Sequence, residues 1–482
     1  MPEAGGSYVA RAAAATSPTL RTRPRDVDAP VDGPTAPSAP LVVAVVGAGY
    51  VGLVTAACLS FLEHEVRCVD ADPTRIDSLR AGGVPFCEPG LEPLIREGMA
   101  AGRLTFGVDT IEAAAGADIV FIAVGTLDGT GQWTDRHVRA ALETLLLGPA
   151  IPSLLVVRST LRPGRMSELQ ELVVASGRAT TLLLHPEFTK EGAAVADFLA
   201  PDRLVVGLPA GTSAEVAEPL VRLYRGIAAP VVIVDHASAE LIKIGANAFL
   251  ATKITFANEL ARFCRAVGAD MAAVRHGIGL DPRIGPDFLR SGPGFGGSCL
   301  PSQVDLLAAM SDELGLDAEL LPAVGRSNRA QAVRIATEIL AEWSVPPQVA
   351  LLGLTFKAGT DDLRESPAIR LIEALHERGV RDIRVHDPAI DVLPSHPSIE
   401  VCGDPYTAAR AADIIIVATE WPAYRTLDWA RLAGLMAHHE VFDTRGVVDV
   451  DAAMAAGFRV RSIERGPRAD GTGDRSATRN AA

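Results

Sequence analysis

The run LVVAVVGAGYVGL at 41–53 constrains this chain more than any other feature. Its β-branched half reads as a strand buried on both faces, and its second half has helical spacing. Between them lies Gly47-Ala48-Gly49-Tyr50-Val51-Gly52. Gly47 permits a tight turn, Gly49 lets the backbone approach a pyrophosphate, and Gly52 lets the helix pack on the strand. The helix N-terminus then offers free N–H groups to phosphate. A second strand, EVRCVDAD at 65–72, carries Asp70 at its end. A carboxylate there bonds a ribose 2′-hydroxyl and repels a 2′-phosphate, so the site is expected to take NAD rather than NADP.

More apolar strands follow, ADIVFIAVGT at 117–126, SLLVVRST at 153–160 and TLLLHPEF at 181–188, with helical patterns between them. This alternation implies a parallel sheet covered on both faces. From His236 to about Val267 the helical period runs without a Gly–Pro break, which predicts one long helix. Strand signal returns at 348, where QVALLGLTFKAG, DIRVHDPAI and ADIIIVATEW echo the opening strand, EVRCVDADP and ADIVFIAVGT in the same order. The fold expected is α/β: two doubly wound, Rossmann-like domains joined by a long central helix and further helical sequence. The segments are 41–234 for NAD, 235–345 for the helical part and 346–465 for a second phosphorylated ligand. Residues 1–40 and 466–482 read as disordered tails.

The net charge of −14 argues against nucleic-acid or anionic-membrane partners, which need a basic surface. No apolar run reaches the ~18 residues of a membrane helix, and the first 40 residues lack a signal-peptide core, so a cytoplasmic protein is expected. No two of the cysteines at 58, 68, 87, 264, 299 and 402 have CxxC spacing, and no metal site is expected. Five read as reduced core thiols. Cys299 differs. It ends SGPGFGGSC, where five glycines and prolines make a loop poorly suited to a core, so its thiol is expected to be exposed and reactive.

Two further polar clusters stand out. Lys243 and Asn247, in ELIKIGANAFLATK, are four apart and share one helix face among apolar neighbours. HPEFTKEG at 185–192 follows a strand, where open α/β sheets place ligands; Glu187 and Glu191 there are either base and binder or the acidic first turn of a helix. In the second half Lys357 stands where close-approach glycines would be, and Lys357 and Arg364 suit a diphosphate rather than a second NAD.

GAGYVGL, VDAD followed by Arg75, EPGLE at 88–92, RSTLRPG at 158–164, HPEF with Glu191, KIGANAFL, RIG at 283–285, GFGGSC and FKAGTDDLRESP together resemble the UDP-glucose/GDP-mannose dehydrogenase family, from about Leu41 to about Arg461. The resemblance implies a four-electron oxidation of a nucleotide-hexose C6 alcohol to the acid, through a Cys299 thiohemiacetal and thioester. It implies that Lys243 and Asn247 stabilise oxyanions, and that Glu187, with Thr160, handles the hydrolytic water. It assigns Gly47, Gly49, Tyr50, Val51, Gly52, Asp70, Arg75, Thr126, Glu191 and Arg364 to NAD. It assigns Phe188, Thr189, Lys190, Glu191, Lys243, Asn247, Phe288, Phe295, Gly296, Gly297, Lys357 and Arg445 to the nucleotide sugar. Arg283 matches an arginine that reaches a neighbouring subunit's site, which implies at least a homodimer. The GGSC form with RIG upstream resembles members acting on UDP-glucose; GDP-mannose and dTDP-glucose stay open.

The family's Lys-Asp after the cysteine is Ser302-Gln303 here, His185 replaces an Asn, and Leu127 replaces a Pro. An amide cannot carry the aspartate's charge, and Asp305 is rotated by about 200° on a helix. Three readings follow: a competent enzyme with proton handling altered, using His185; an enzyme that stalls at aldehyde or thioester; and a non-catalytic nucleotide-sugar binder. A β-hydroxyacid dehydrogenase, with one hydride transfer and no cysteine, is a fourth.

Overall fold

The structure is a computed structural model and describes residues 39–464 apart from 129–130 and 398. The tails expected to be disordered lie outside the described residues, except for 39–40. Eight strands form the first sheet: β1 (Val42–Val46), β2 (Glu65–Val69), β3 (Leu104–Gly107), β4 (Ile119–Ile122), β5 (Leu154–Val157), β6 (Thr181–Leu184), β7 (Leu204–Leu208) and β8 (Val231–Asp235). Their order is β3-β2-β1-β4-β5-β6-β7-β8, parallel except where β6 meets β7. Six form the second: β9 (Val349–Leu352), β10 (Ile383–His386), β11 (Glu400–Val401), β12 (Ile414–Val417), β13 (Glu440–Asp443) and β14 (Arg459–Ser462). Their order, β11-β10-β9-β12-β13-β14, is parallel throughout and repeats the first six positions of the other sheet. Alternation along β1 sends Val43 and Val45 into one apolar layer and Ala44 and Val46 into the other, which is why the strand is apolar at every position.

The two halves agree in detail. Val46 pairs with Val69 and Ile122, and Leu352 pairs with His386 and Val417. Each first strand runs into a glycine at positive φ, Gly47 at 104° and Gly353 at 98°. A Cβ on Gly47 would fall 2.6 Å from the Ala123 carbonyl oxygen, and one on Gly353 2.4 Å from the Thr419 Cβ. The next N–H, of Ala48 or Leu354, donates at 2.7 Å to the acid ending the second strand, Asp70 or Asp387. Asp70 also accepts from Asp72 N and Arg75. Asp387, only 4% exposed, accepts instead from Thr355 N, Thr355 Oγ1, Ala389 N and Trp421 Nε1.

The long helix is present, spanning His236–Val267, or about 48 Å. The Asp235 carboxylate caps its start by accepting from Ser238 N, and Gly268 in the left-handed conformation ends it. It packs on β7 and on the helices Leu300–Glu313 and Leu320–Leu340. The second doubly wound sheet argues against the hydroxyacid dehydrogenase reading. Among the described residues no helix is long and apolar enough to cross a membrane.

Candidate active site

Three elements converge at the C-terminal edge of the first sheet. The segment after β6 carries Glu187, the central helix carries Lys243 and Asn247, and the helix Leu300–Glu313 carries Gln303 one turn after Cys299. Lys243 Nζ donates to Glu187 Oε1 at 3.0 Å, with side-chain exposures of 4% and 8%. Glu187 Oε2 accepts from Thr189 N and Thr189 Oγ1, both at 2.7 Å. Burial opposes the charge of Glu187, but the Lys243 ammonium, the Thr189 bonds and the nearby Arg158 outweigh it and hold the carboxyl below its ordinary range. Glu187 is therefore anionic at neutral pH and can accept a proton, not give one. Four residues along the helix, Asn247 Nδ2 donates to Gln303 Oε1 at 2.9 Å, and Gln303 is 1% exposed.

Cys299 caps the helix Leu300–Glu313 and is exposed, as expected of a reactive thiol. The surrounding protein atoms push its pKa up, Glu187 and Glu191 add to this, and Lys243 and Ser298 work against it. The resting form is thus the thiol, beside a cation that favours the thiolate. The loop before it departs from expectation. Residues 291–297 are all buried. Side-chain amides from the helices satisfy its backbone: Gly292 N donates to Asn258 at 2.7 Å, Phe295 N to Asn328 at 2.8 Å, and Gln331 donates to Gly292 O at 3.1 Å. Lack of side chains lets the second domain pack directly on it. Gly297 N donates to Arg364 O at 3.0 Å, and a Cβ on Gly296 would fall 2.4 Å from Glu365 O.

The glycine turn fits a dinucleotide. No side chain caps the helix Tyr50–Phe61, and a Cβ on Gly49 would meet nothing within 4 Å, so the turn opens outward where a pyrophosphate would approach. Across the cleft Arg364 pairs with Asp362 at 2.7 Å and with Glu191 at 3.2 Å. Burial and the Asp362 carboxylate raise Glu191 to about 7, against the pull of Arg364 and Lys357. Burial lowers Lys357. Arg445 donates to Ala418 O and Phe356 O and pairs with Glu420 at 3.1 Å.

The other candidates are distributed more widely. Thr126 and Thr160 are half-buried just past β4 and β5. Phe188 lies under the Arg203 guanidinium at 3.9 Å and 5.2 Å from Lys243 Nζ. Lys190 is exposed and pairs with Asp197. Phe288 adopts φ 62°, and the Phe295 ring packs into the helical core with Ala248, Ala251, Val304 and Val324. Arg283 is 87% exposed and pairs with its neighbour Asp281, apart from the cluster.

Two expectations are corrected, for His185 and for Cys87. His185 cannot take over proton handling: its Nδ1 meets Val205 O at 2.6 Å, its Nε2 meets Tyr224 at 2.9 Å, and burial beside Arg158 lowers its pKa to about 3. Asp305 pairs outward with Arg329 at 2.9 Å, in keeping with its rotation away from the site along the helix. Cys87 is exposed rather than a core thiol. Two residues went unassigned from sequence, buried Arg158 and Glu88, although both stand in the RSTLRPG and EPGLE motifs.

Comparison with known proteins agrees with this geometry. Residues 41–228, 237–330 and 350–450 match the NAD binding, central and UDP binding domains of the UDP-glucose/GDP-mannose dehydrogenase family. A UDP-glucose 6-dehydrogenase of Rhizobium meliloti is 37% identical over 435 residues, covering 88% of this chain and 99% of that protein. One from Pseudomonas aeruginosa is 39% identical over 445 residues, covering 88% and 97%. The solved UDP-glucose dehydrogenase of Pyrobaculum islandicum has 35% identity and a TM-score of 0.79, covering 90% of this chain and 100% of its own. With cofactor turn, central helix and second nucleotide domain in the family's order, the chain belongs to the UDP-glucose/GDP-mannose dehydrogenase family.

Proposed function

We propose that the protein oxidises the C6 alcohol of UDP-glucose to the carboxylate of UDP-glucuronate, through covalent attachment at Cys299. The observation that carries this reading is the exposed Cys299 thiol set in the field of the Lys243–Glu187 pair. Gly47, Gly49 and Gly52, with Asp70 and Arg75 at the ribose, would hold NAD+, which would supply the hydride acceptor for each of the two oxidations. Lys243 and Asn247 donate to the oxygen that gains charge when the thiolate adds to the aldehyde. Ionised Glu187, with Thr160, takes the proton of the water that cleaves the thioester. That water supplies the second carboxylate oxygen. Lys357, Arg445, Glu191 and the loop glycines Gly296 and Gly297 hold the nucleotide sugar, and Arg364 neutralises the cofactor's phosphates. The segments 41–234, 235–345 and 346–465 carry these duties in turn, in a cytoplasmic enzyme. The Gln303 amide in place of a carboxylate favours slow hydrolysis of the thioester rather than loss of hydride transfer.

The reading includes a homodimer. Phe249, Phe256 and Phe263 recur every seven residues along the central helix and are 53–67% exposed, an apolar stripe that a second copy would cover. In that dimer the exposed Arg283 would reach the second copy's site. The test of activity is stoichiometric: limiting UDP-glucose with excess NAD+ should give two NADH and one glucuronate per sugar, and Cys299→Ser should give no carboxylate. No NADH from UDP-glucose would overturn the substrate assignment.

A further inference from the structure

Glu88 lies outside every catalytic role above, yet it is among the few buried carboxylates in the molecule, 7% exposed. Its Oε2 accepts from the Tyr50 hydroxyl in a short bond and from Gly192 N at 2.6 Å, and its Oε1 accepts from Ala194 N at 2.8 Å. No basic side chain lies within ion-pair distance of it among the described residues; the Lys357 cation acts on it only from further off, so these donors supply the direct compensation of its burial. Tyr50 opens the glycine-turn helix and packs against Phe86, with the rings tilted at 45° and their centroids 4.8 Å apart. Gly192 belongs to the turn that carries Glu191, and Ala194 opens the short helix Ala194–Leu199 that follows it. That turn meets the second domain closely: a Cβ on Gly192 would fall 2.7 Å from Gly359 O. Beside Glu88, Cys87 N donates to Asp361 Oδ1 at 3.4 Å.

We infer that Glu88 is a positioning residue that couples the cofactor site to the sugar site, tying the head of the glycine-turn helix to the segment at 191–194. The inference rests on the reading that NAD and a nucleotide sugar share this cleft. A carboxylate in a dry site cannot release one donor without leaving charge unsolvated, so it moves with its donors or not at all. A shift of Tyr50 on cofactor binding is therefore passed to Gly192 and Ala194, and hence to Glu191 and its partner Arg364 across the cleft.

Binding of NADH, measured by its fluorescence with and without saturating UDP-glucose, tests this without turnover. The ratio of the two dissociation constants is the coupling. In the wild type it should differ from one by about tenfold or more. Glu88→Gln keeps an acceptor at one end of the carboxylate only and turns an amide N–H toward a donor at the other, so the ratio should move toward one by about tenfold, the worth of one buried hydrogen bond. Tyr50→Phe keeps the loop bonds and removes the link to the helix; it should do the same, and the double variant should add nothing further. A wild-type ratio of one, or a ratio unchanged in both variants while affinities fall, overturns the coupling. Failure of the wild type to bind NADH or UDP-glucose at all would instead overturn the functional reading.

Discussion

Lys243→Met leaves the Glu187 carboxylate buried with its Thr189 donors and no cation. Methionine keeps the length and most of the volume of the side chain, so packing changes little. With side-chain exposures of 4% and 8%, water cannot replace the ammonium. Removing one partner of such a pair costs about 3–5 kcal/mol. Titration sets a ceiling. Rather than stay ionised, the carboxyl takes up a proton, which at pH 7 costs about 3.7 kcal/mol, being 1.36 for each of the ~2.7 pH units above an ordinary glutamate. The Thr189 bonds at 2.7 Å favour the anion and offset part of this, so the expected loss at pH 7 is about 3 kcal/mol. In the wild type the pKa of Glu187 is depressed, so its contribution is full above the unfolded value of ~4.3 and is lost as pH falls through the folded one. In the variant the pKa is raised above the unfolded value, and the penalty grows from ~4.3 upward by about 1.4 kcal/mol per unit. Urea unfolding of both proteins at pH 7 and pH 5 should thus show a deficit smaller by about 2 kcal/mol at the lower pH. Adding Glu187→Gln should restore most of it. A deficit under about 1 kcal/mol at pH 7, or one that ignores pH, refutes the argument.

Gln303→Asp should speed breakdown of the covalent Cys299 intermediate by about 10²-fold, seen as loss of the adduct from intact-protein mass spectra during turnover; an adduct level equal to wild type would dissociate Gln303 from hydrolysis. Phe256→Glu places a charge in the middle of the exposed aromatic stripe and should shift the sedimentation coefficient from dimer to monomer at micromolar concentration. A monomeric wild type would remove the stripe's assigned partner.

Much of the fold was legible because its signals are local. The glycine turn, the first three repeated strands and the bounds of the long helix follow from period and punctuation, with Asp235 and Gly268 as caps. Lys243 and Asn247 could be placed together from spacing alone. Their partners could not, since Glu187 and Gln303 arrive from other elements. His185 was misread because β6 ends at Leu184 and Pro186 follows, so alternation along the strand no longer says which way a side chain points. The cysteine loop was read as unfit for a core because its glycines have no side chains to bury. What it lacks is supplied by Asn258, Asn328 and Gln331, distant in sequence and invisible to a local pattern.

The paired carboxylates Asp70 and Asp387 show what became of a duplicated plan. Both grip the amide after the turn glycine at 2.7 Å, so that bond is architecture and was inherited twice. The remainder has diverged. Asp70 shares its oxygens with the half-exposed Arg75 and is less enclosed than its counterpart. Asp387 is welded to Thr355 and Trp421 and has nothing left for a visitor. The second half thus holds its matching carboxylate as an internal rivet. Its turn is thereby pinned from within the protein, while the turn of the first half keeps its carboxylate beside a half-exposed arginine.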